Sequence, residues 1–318
     1  MTEVVLALGL GFALLNGAND GGALVAASLK TPGIAPATAI LGLAFALGVV
    51  PAVFGATVAR TIAAGLVTAD PDVAEVLLGV AVLTALLVVG TMNVRGLPTS
   101  LTLALVGGVV GGGLGAGLPI SWSTVGLTAG AGIAAPFVGG LLGRGISGLA
   151  VLRVPVDGRG GGLRRIHTVA FGLQAVAYAA NDGQKIYAVL AAGALGAAAT
   201  VPTWQLAVVP LLFAIGGLVG VRRASGVLGA GGMVRARPSD EVAAEVSSAT
   251  AVLASASVGA PVSMTQAVAG SLIGAGVSRG HRSIRWRAAA RLGLAWVLTL
   301  PSAALLGAGM AAVGGVGA

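Results

Sequence analysis

The chain has 318 residues, of which 56% are hydrophobic and only 9% are charged, so a water-soluble fold would lack the polar surface to cover itself. The absence of cysteine excludes disulfides, thiolate metal sites and cysteine catalysis. The net charge of +8 comes mainly from arginines in short loops beside apolar runs, which argues against nucleic acid as a partner. The composition therefore predicts a chain whose solvent is a lipid bilayer.

Apolar segments recur along the whole chain, and most have the ~20 residues that a helix needs to cross the hydrocarbon core. They are predicted at 3–29, 36–58, 73–92, 97–117, 124–142, 167–199, 203–220, 242–258, 259–277 and 288–313. Membrane β-barrels require alternating polar and apolar residues, which these runs lack. The sequence thus predicts an all-α integral membrane protein of about ten transmembrane elements.

The basic loops predict how these elements are oriented. Loops 144–165, 222–237 and 279–287 are rich in arginine, and an even number of predicted crossings separates each from the next. All three therefore lie in the cytoplasm together, as the positive-inside rule expects. We expect a multi-pass protein of the cell (plasma) membrane with both chain ends outside.

A long internal repeat divides the chain. Asn19-Asp20 recurs as Asn181-Asp182 at an offset of 162 residues, and Gly96-Leu97-Pro98 recurs as Gly259-Ala260-Pro261 at an offset of 163. Five crossings per half is an odd number, which predicts two inverted repeats, the arrangement common in secondary transporters. The predicted first repeat, cytoplasmic linker and second repeat lie at 1–142, 143–166 and 167–318.

The two Asn-Asp pairs are the strongest candidates for a functional site. An aspartate at mid-membrane depth costs roughly 2.5 to 3.5 kcal/mol, and each half carries one at a matched position. The surrounding glycines predict broken helices, in which carbonyls and a carboxylate offer hard oxygen ligands to sodium. We therefore expect Asp20, Asp182, Asn19 and Asn181 to bind a cation. A purely structural role as caps or kinks is the alternative.

Each Gly-x-Pro turn is followed by hydroxyl side chains, which we call the hydroxyl cluster: Ser100, Thr102, Ser263 and Thr265. At the start of a helix such groups are often only caps, but their duplication in register with the Asn-Asp pairs favours a donor cage for a tetrahedral oxyanion. Whether 97–117 and 259–277 are re-entrant hairpins or full spans is left open by the sequence.

Other polar residues near these motifs join the candidate anion site. Gln184 and Gln266 are predicted polar liners, and Asn19 and Asn181 are candidate anion ligands as well. Lys185 could bind an oxyanion directly or form a salt bridge with Asp182, and both alternatives stay open. Outside the site, Glu245 interrupts an apolar segment, and we expect it to pair with an arginine.

These motifs resemble the inorganic phosphate transporter (PiT) family of cation-coupled phosphate symporters. The likeness rests on G-A-N-D from Gly17, A-N-D-G-Q-K from Ala180, G-L-P-T-S-L-T from Gly96, G-A-P-V-S-M-T-Q from Gly259 and the closing stretch 285–301. It implies inverted repeats with phosphate and sodium, or a proton, bound at their interface. It also implies a homodimer, no cofactor and no enzymatic activity.

The sequence departs from the family pattern at points that bear on the substrate. Ala23 stands where the family usually has a second asparagine, and Leu103 stands where a histidine is usual. The Ser-Thr-Thr runs are thinned to Ser-Leu-Thr and Ser-Met-Thr. Fewer donors are compatible with phosphate and also with sulfate or another oxyanion.

A remote alternative is an intramembrane aspartyl protease, which also uses two buried aspartates. This sequence lacks the Gly-x-Gly-Asp motif expected of such a protease.

Overall fold

The computed structural model describes residues 2–149, 161–195, 202–229 and 232–316. Within these ranges the chain is helical and has no strand, which confirms the predicted all-α class. The helices are α1 (Thr2–Asn16), α2 (Gly22–Ala27), α3 (Pro36–Phe54), α4 (Thr57–Arg60), α5 (Pro71–Val94), α6 (Leu101–Gly115), α7 (Trp122–Gly148), α8 (Gly162–Tyr178), α9 (Gln184–Leu195), α10 (Thr203–Ala224), α11 (Pro238–Ser257), α12 (Met264–Val277) and α13 (Trp286–Val313).

Six helical stretches in the described part of the chain are long and apolar enough to cross a membrane. They are Glu3–Ala27, Pro36–Phe54, Pro71–Val94, Trp122–Gly148, Thr203–Ala224 and Trp286–Val313. Helices α6 and α12 have 15 and 14 residues. At 1.5 Å per residue each is only ~22 Å long, less than the ~30 Å of hydrocarbon. The chain is thus a multi-pass helical protein, and the predicted count of ten elements stays a prediction.

Both ends of the predicted linker at 143–166 are helical in the structure. Helix α7 continues to Gly148, and α8 begins at Gly162. Residues 150–160, the middle of the predicted linker with most of its predicted glycine-rich tip, lie outside the described residues.

The order of the elements recurs in the two halves of the chain. Each half has an interrupted helix (α1–α2 and α8–α9), a helix with an internal proline (α3 and α10) and a helix with proline in its first turn (α5 and α11). A short helix (α6 and α12) and a long proline-containing helix (α7 and α13) follow. The inverted orientation of the halves in the membrane is still a prediction.

The halves interlock through helices that carry small residues. Helix α6 packs on α13, and α12 packs on α7. A Cβ added to Gly111 would overlap the backbone of Ala304, and one added to Gly274 would overlap the backbone of Gly140. Such close approach between backbones is how helices associate where lipid offers no hydrophobic driving force. The turns before α6 and α12 therefore lie deep inside the protein, where Ser100 and Ser263 are buried.

The predicted breaks at the Asn-Asp pairs are π-helical turns. They span Gly17–Gly21 and Ala179–Gly183, and the residues that flank them keep right-handed helical dihedrals. The amide of Gly22 bonds back to the carbonyl of Gly17, five residues earlier. A π turn widens the helix by one residue and disturbs the regular hydrogen-bond ladder without unwinding the chain. The sequence correctly indicated an irregularity here, but the helices are not interrupted by an extended segment.

Candidate functional site

Each asparagine of the two pairs holds the turn that precedes the short helix of its own half. The Asn19 side chain donates to the Thr99 carbonyl at 2.7 Å and accepts from the Thr99 amide at 3.1 Å. The Asn181 side chain donates to the Ala260 carbonyl at 3.2 Å and accepts from the Val262 amide at 3.3 Å. Both asparagines thus fix a π turn to the start of a short helix.

Each of these turns begins with a glycine whose backbone adopts a conformation that favours glycine over other residues. Gly96 and Gly259 both have φ of 72°, the left-handed region that side chains with a Cβ rarely adopt. The chain then runs extended into Ser100 and Ser263, the N-cap residues of α6 and α12. The same local geometry therefore places a buried helix N-terminus beside each Asn-Asp pair.

The two aspartates lie close together in the protein interior. The exposed fraction is 2% for Asp20 and 1% for Asp182. The two carboxylates interact electrostatically with each other and with Lys185. The Asp20 Oδ1 atom accepts from the Asn19 amide at 2.7 Å. The Asp182 Oδ2 atom is buried without a hydrogen-bond partner.

The hydroxyl cluster is buried, and one member reaches across the halves. The Thr102 hydroxyl donates to the Val262 carbonyl at 3.0 Å, so the start of α6 touches the turn before α12. The Ser263 and Thr265 hydroxyls lie 2.8 Å apart. The Ser100 hydroxyl accepts from the Leu103 amide at 3.0 Å, which is ordinary N-capping. The cluster thus includes both capping groups and groups directed at the other half.

Lys185 joins the aspartates to the hydroxyl cluster. Its buried ammonium donates to Asp182 Oδ1 at 2.7 Å, to the Thr102 hydroxyl at 2.6 Å and to the Val262 carbonyl at 2.6 Å. The salt bridge with Asp182 that the sequence left open is therefore present. An ammonium has three donors, and each of them has an oxygen acceptor here.

The two predicted glutamine liners are placed differently. The Gln184 side-chain oxygen accepts from the amides of Val58 and Ala59, at the start of α4, and its amide donates to Ala180. This side chain therefore caps α4, and its three hydrogen bonds all go to the backbone. Gln266 follows Thr265 at the start of α12, and its side-chain oxygen is buried without a partner. The structure thus leaves Gln266 available as a polar liner, and it does not direct Gln184 at the hydroxyl cluster.

Tyr178 is the last residue before the second π turn. Its side chain is fully buried. Its hydroxyl donates to Asn16 Oδ1 at 3.4 Å. The repeat offset contains the signal that could have found this contact, because positions 16 and 178 each lie just before a π turn.

Glu245 has a different partner from the one predicted. It lies 3.0 Å from His167 Nδ1, and both side chains are buried. The predicted arginine partner is wrong, because the packing of α8 on α11 brings a histidine to this position.

A surface cavity of about 600 Å³ reaches the turn that Asn19 holds. Its lining combines that turn with the basic start of α13: Leu97, Gly226, Val227, Arg285, Trp286, Arg287, Ala288 and Arg291. A cavity lined by arginines has a positive potential that concentrates anions. The cavity thus gives anions an approach to the turn before α6.

The buried aspartates, helix N-termini and hydroxyls, held by irregular turns inside a bundle of apolar helices, define an α-helical membrane transporter. The model of the phosphate transporter family matches residues 16–156 and 158–307 of the chain. The chain belongs to this family. The sequence-based family resemblance and the prediction that the protein is not an enzyme are thereby confirmed.

Curated relatives are similar over nearly the whole chain. A Mycobacterium bovis protein described as a probable low-affinity inorganic phosphate transporter is 33% identical and covers 96% of this chain and 75% of its own. A Rhizobium meliloti protein with the same description is 31% identical over 96% of this chain and 93% of its own. A solved structure, described as the sodium-dependent phosphate transporter, has a TM-score of 0.81 at 20% identity and covers 98% of both chains.

Proposed function

We propose that this protein is a secondary active symporter that moves inorganic phosphate across the cell membrane together with sodium or a proton. The observation that carries the proposal is the convergence of two buried aspartates with hydroxyls from both halves of the chain, linked by the bond from Thr102 to Val262. Buried carboxylates destabilise apolar helices, and in transporters such carboxylates typically bind ions.

The ligands divide into a cation set and an anion set. Asp20 and Asp182, with backbone carbonyls of the π turns at Asn19 and Asn181, form the two cation sites. The anion is bound by the amides at the starts of α6 and α12 and by these side chains: Ser100, Thr102, Ser263, Thr265 and Gln266. The asparagine side chains position the turns, and Gln184 is left out because α4 occupies it.

Coupling follows from charge. Buried carboxylates repel an entering phosphate, and a cation bound beside them lowers this repulsion, so anion and cation bind together. Rocking of one half against the other then alternates access to the site. This scheme uses inverted repeats, both chain ends outside and a homodimer, as the family resemblance and the loop charges predict. The solved relative is described as sodium-dependent, which favours sodium as the coupling ion.

Uptake of radiolabelled phosphate into proteoliposomes tests this function. We expect Asp20→Asn and Asp182→Asn to abolish cation-driven uptake while the protein still elutes as a folded species. Asp72→Asn is the matched control, because Asp72 is an exposed acid at the start of α5. Wild-type rates in either buried-aspartate variant would refute the assignment.

The substrate and the coupling ion are tested in the same assay. We expect unlabelled phosphate to compete fully and sulfate to compete weakly, with uptake dependent on a sodium gradient at constant pH. Strong competition by sulfate would identify the thinned Ser-Thr runs as a site for a different oxyanion. Uptake that follows pH and ignores sodium would identify the proton as the coupling ion.

A further inference from the structure

The environment of the Lys185 ammonium is that of a bound cation. Its three acceptors are a carboxylate oxygen of Asp182, a hydroxyl oxygen of Thr102 and the carbonyl oxygen of Val262, all at 2.6 to 2.7 Å. Carboxylate, hydroxyl and carbonyl oxygens are also the ligands that hard metal cations take in proteins and transporters. These ligands come from both halves of the chain, as expected of an ion site at the interface of two repeats.

The equivalent position in the first half carries no ammonium group. The repeat offset pairs Lys185 with Ala23, which is buried and cannot carry charge. Asp20 receives its hydrogen bond from the neutral amide of Asn19. Thr265, which the repeat pairs with Thr102, bonds to Ser263 instead of to an ammonium. The two halves thus share a backbone plan but differ by one fixed positive charge.

We propose that the Lys185 ammonium is a built-in cation that occupies the second-half ion site, so that Asp20 alone takes its coupling ion from solution. The proposal rests on the function proposed above and specifies its stoichiometry. A site that holds a tethered charge takes up no ion from solution. Each transport cycle therefore avoids the entropy loss of binding a free ion at that site. The protein therefore uses fewer coupling ions per phosphate than a transporter with two open ion sites.

Removal of the ammonium opens the site to an external ion. In Lys185→Ala, we expect the purified full-length protein to bind about one additional ²²Na⁺, because a carboxylate, a hydroxyl and a carbonyl are left without their cation. The additional ion disappears in the double variant Lys185→Ala/Asp182→Asn, which removes the carboxylate. Lys185→Gln, which keeps a long neutral side chain, guards against a packing defect of the alanine variant. Lys30→Ala is the matched control, because Lys30 is the other lysine and bonds the Ala236 carbonyl.

Transport gives a second readout. In proteoliposomes, the number of sodium ions per phosphate is obtained from the gradients at which net phosphate flux is zero. We expect this number to rise by about one in Lys185→Ala or Lys185→Gln and to stay unchanged in Lys30→Ala. A folded Lys185 variant that binds no additional sodium would refute the built-in cation. Equal loss of wild-type sodium binding in Asp20→Asn and Asp182→Asn would refute it as well.

The two proposals fail in different ways. A wild-type protein that does not transport phosphate contradicts the proposed function, whereas the sodium-binding comparison between wild type and Lys185 variants needs no transported substrate. Conversely, phosphate uptake with normal coupling and no gain of sodium binding in the Lys185 variants contradicts only the built-in cation.

Discussion

The hydroxyl of Tyr178 donates a hydrogen bond to the side-chain oxygen of Asn16 at 3.4 Å, and the two residues occupy equivalent places in the internal repeat. Each is the last residue before a π turn, so the contact joins the two interrupted helices immediately before their aspartates. Tyr178 also packs against the ring of Phe213 at a centroid distance of 5.5 Å. The two halves of the site are therefore held together directly beside the charged groups.

The first prediction concerns this contact. Tyr178→Phe removes one buried hydrogen bond, and we expect a loss of about 0.5 to 1.5 kcal/mol in the free energy of unfolding, measured by thermal denaturation in detergent. Tyr187→Phe is the matched control, since the Tyr187 hydroxyl is buried without a partner and its removal should be neutral or stabilising. Equal destabilisation of both variants would show that the Asn16 contact contributes nothing specific.

The second prediction concerns the asparagine clamps. Asn19→Ala and Asn181→Ala each remove two hydrogen bonds from a turn before a short helix, so the helix start that faces the anion loses its position. We expect the KM for phosphate to rise by about thirtyfold in each variant, since two neutral hydrogen bonds contribute ~1 kcal/mol apiece and every 1.4 kcal/mol is about a factor of ten. Gln205→Leu is the control, because this buried amide has no partner. An unchanged KM in both asparagine variants would contradict the positioning role.

The third prediction concerns the close packing of α10 on the first π turn. A Cβ on Gly220 would overlap the backbone of Ala18, so we expect Gly220→Ala to destabilise the protein by about 1 to 3 kcal/mol and to lower uptake. Gly42→Ala in α3 is the matched control, because a Cβ at this position meets open space. The substitution also replaces a glycine, which is unfavourable inside a helix. Thermal unfolding and uptake are measured on both. Full stability of Gly220→Ala would mean that the π turn can move away from α10.

The fourth prediction concerns the buried pair of His167 and Glu245. Removal of the imidazole deprives the buried Glu245 carboxylate of its partner on α8, so we expect His167→Leu to cost about 1 to 3 kcal/mol of stability. The double variant His167→Leu/Glu245→Leu should recover most of this loss, because two apolar side chains pay no desolvation penalty. Unfolding free energies of both single variants and the double variant form the cycle that measures the coupling. Additive losses would show that the two groups do not interact.

The fold class and the proposed position of the site follow from local properties of the sequence. The apolar composition excludes water as solvent, and the aspartates at matched offsets are too costly to be incidental. Both properties depend on residue type and spacing alone, so they could be predicted. The glycine-rich surroundings likewise predicted an irregular helix at each pair, although the π-helical form of the irregularity depends on packing against neighbouring helices.

What only the tertiary structure decided is which polar groups meet. The sequence could not choose between a phosphate contact and a salt bridge for Lys185, and it gave Glu245 an arginine instead of His167. It also grouped Gln184 with the anion ligands, whereas this side chain accepts from the Val58 amide of α4 and donates to the Ala180 carbonyl of the preceding π turn. Each of these pairings joins side chains whose relative placement is set by helix rotation and crossing between distant parts of the chain. Composition and spacing do not encode those variables locally, because close packing of the whole bundle determines them.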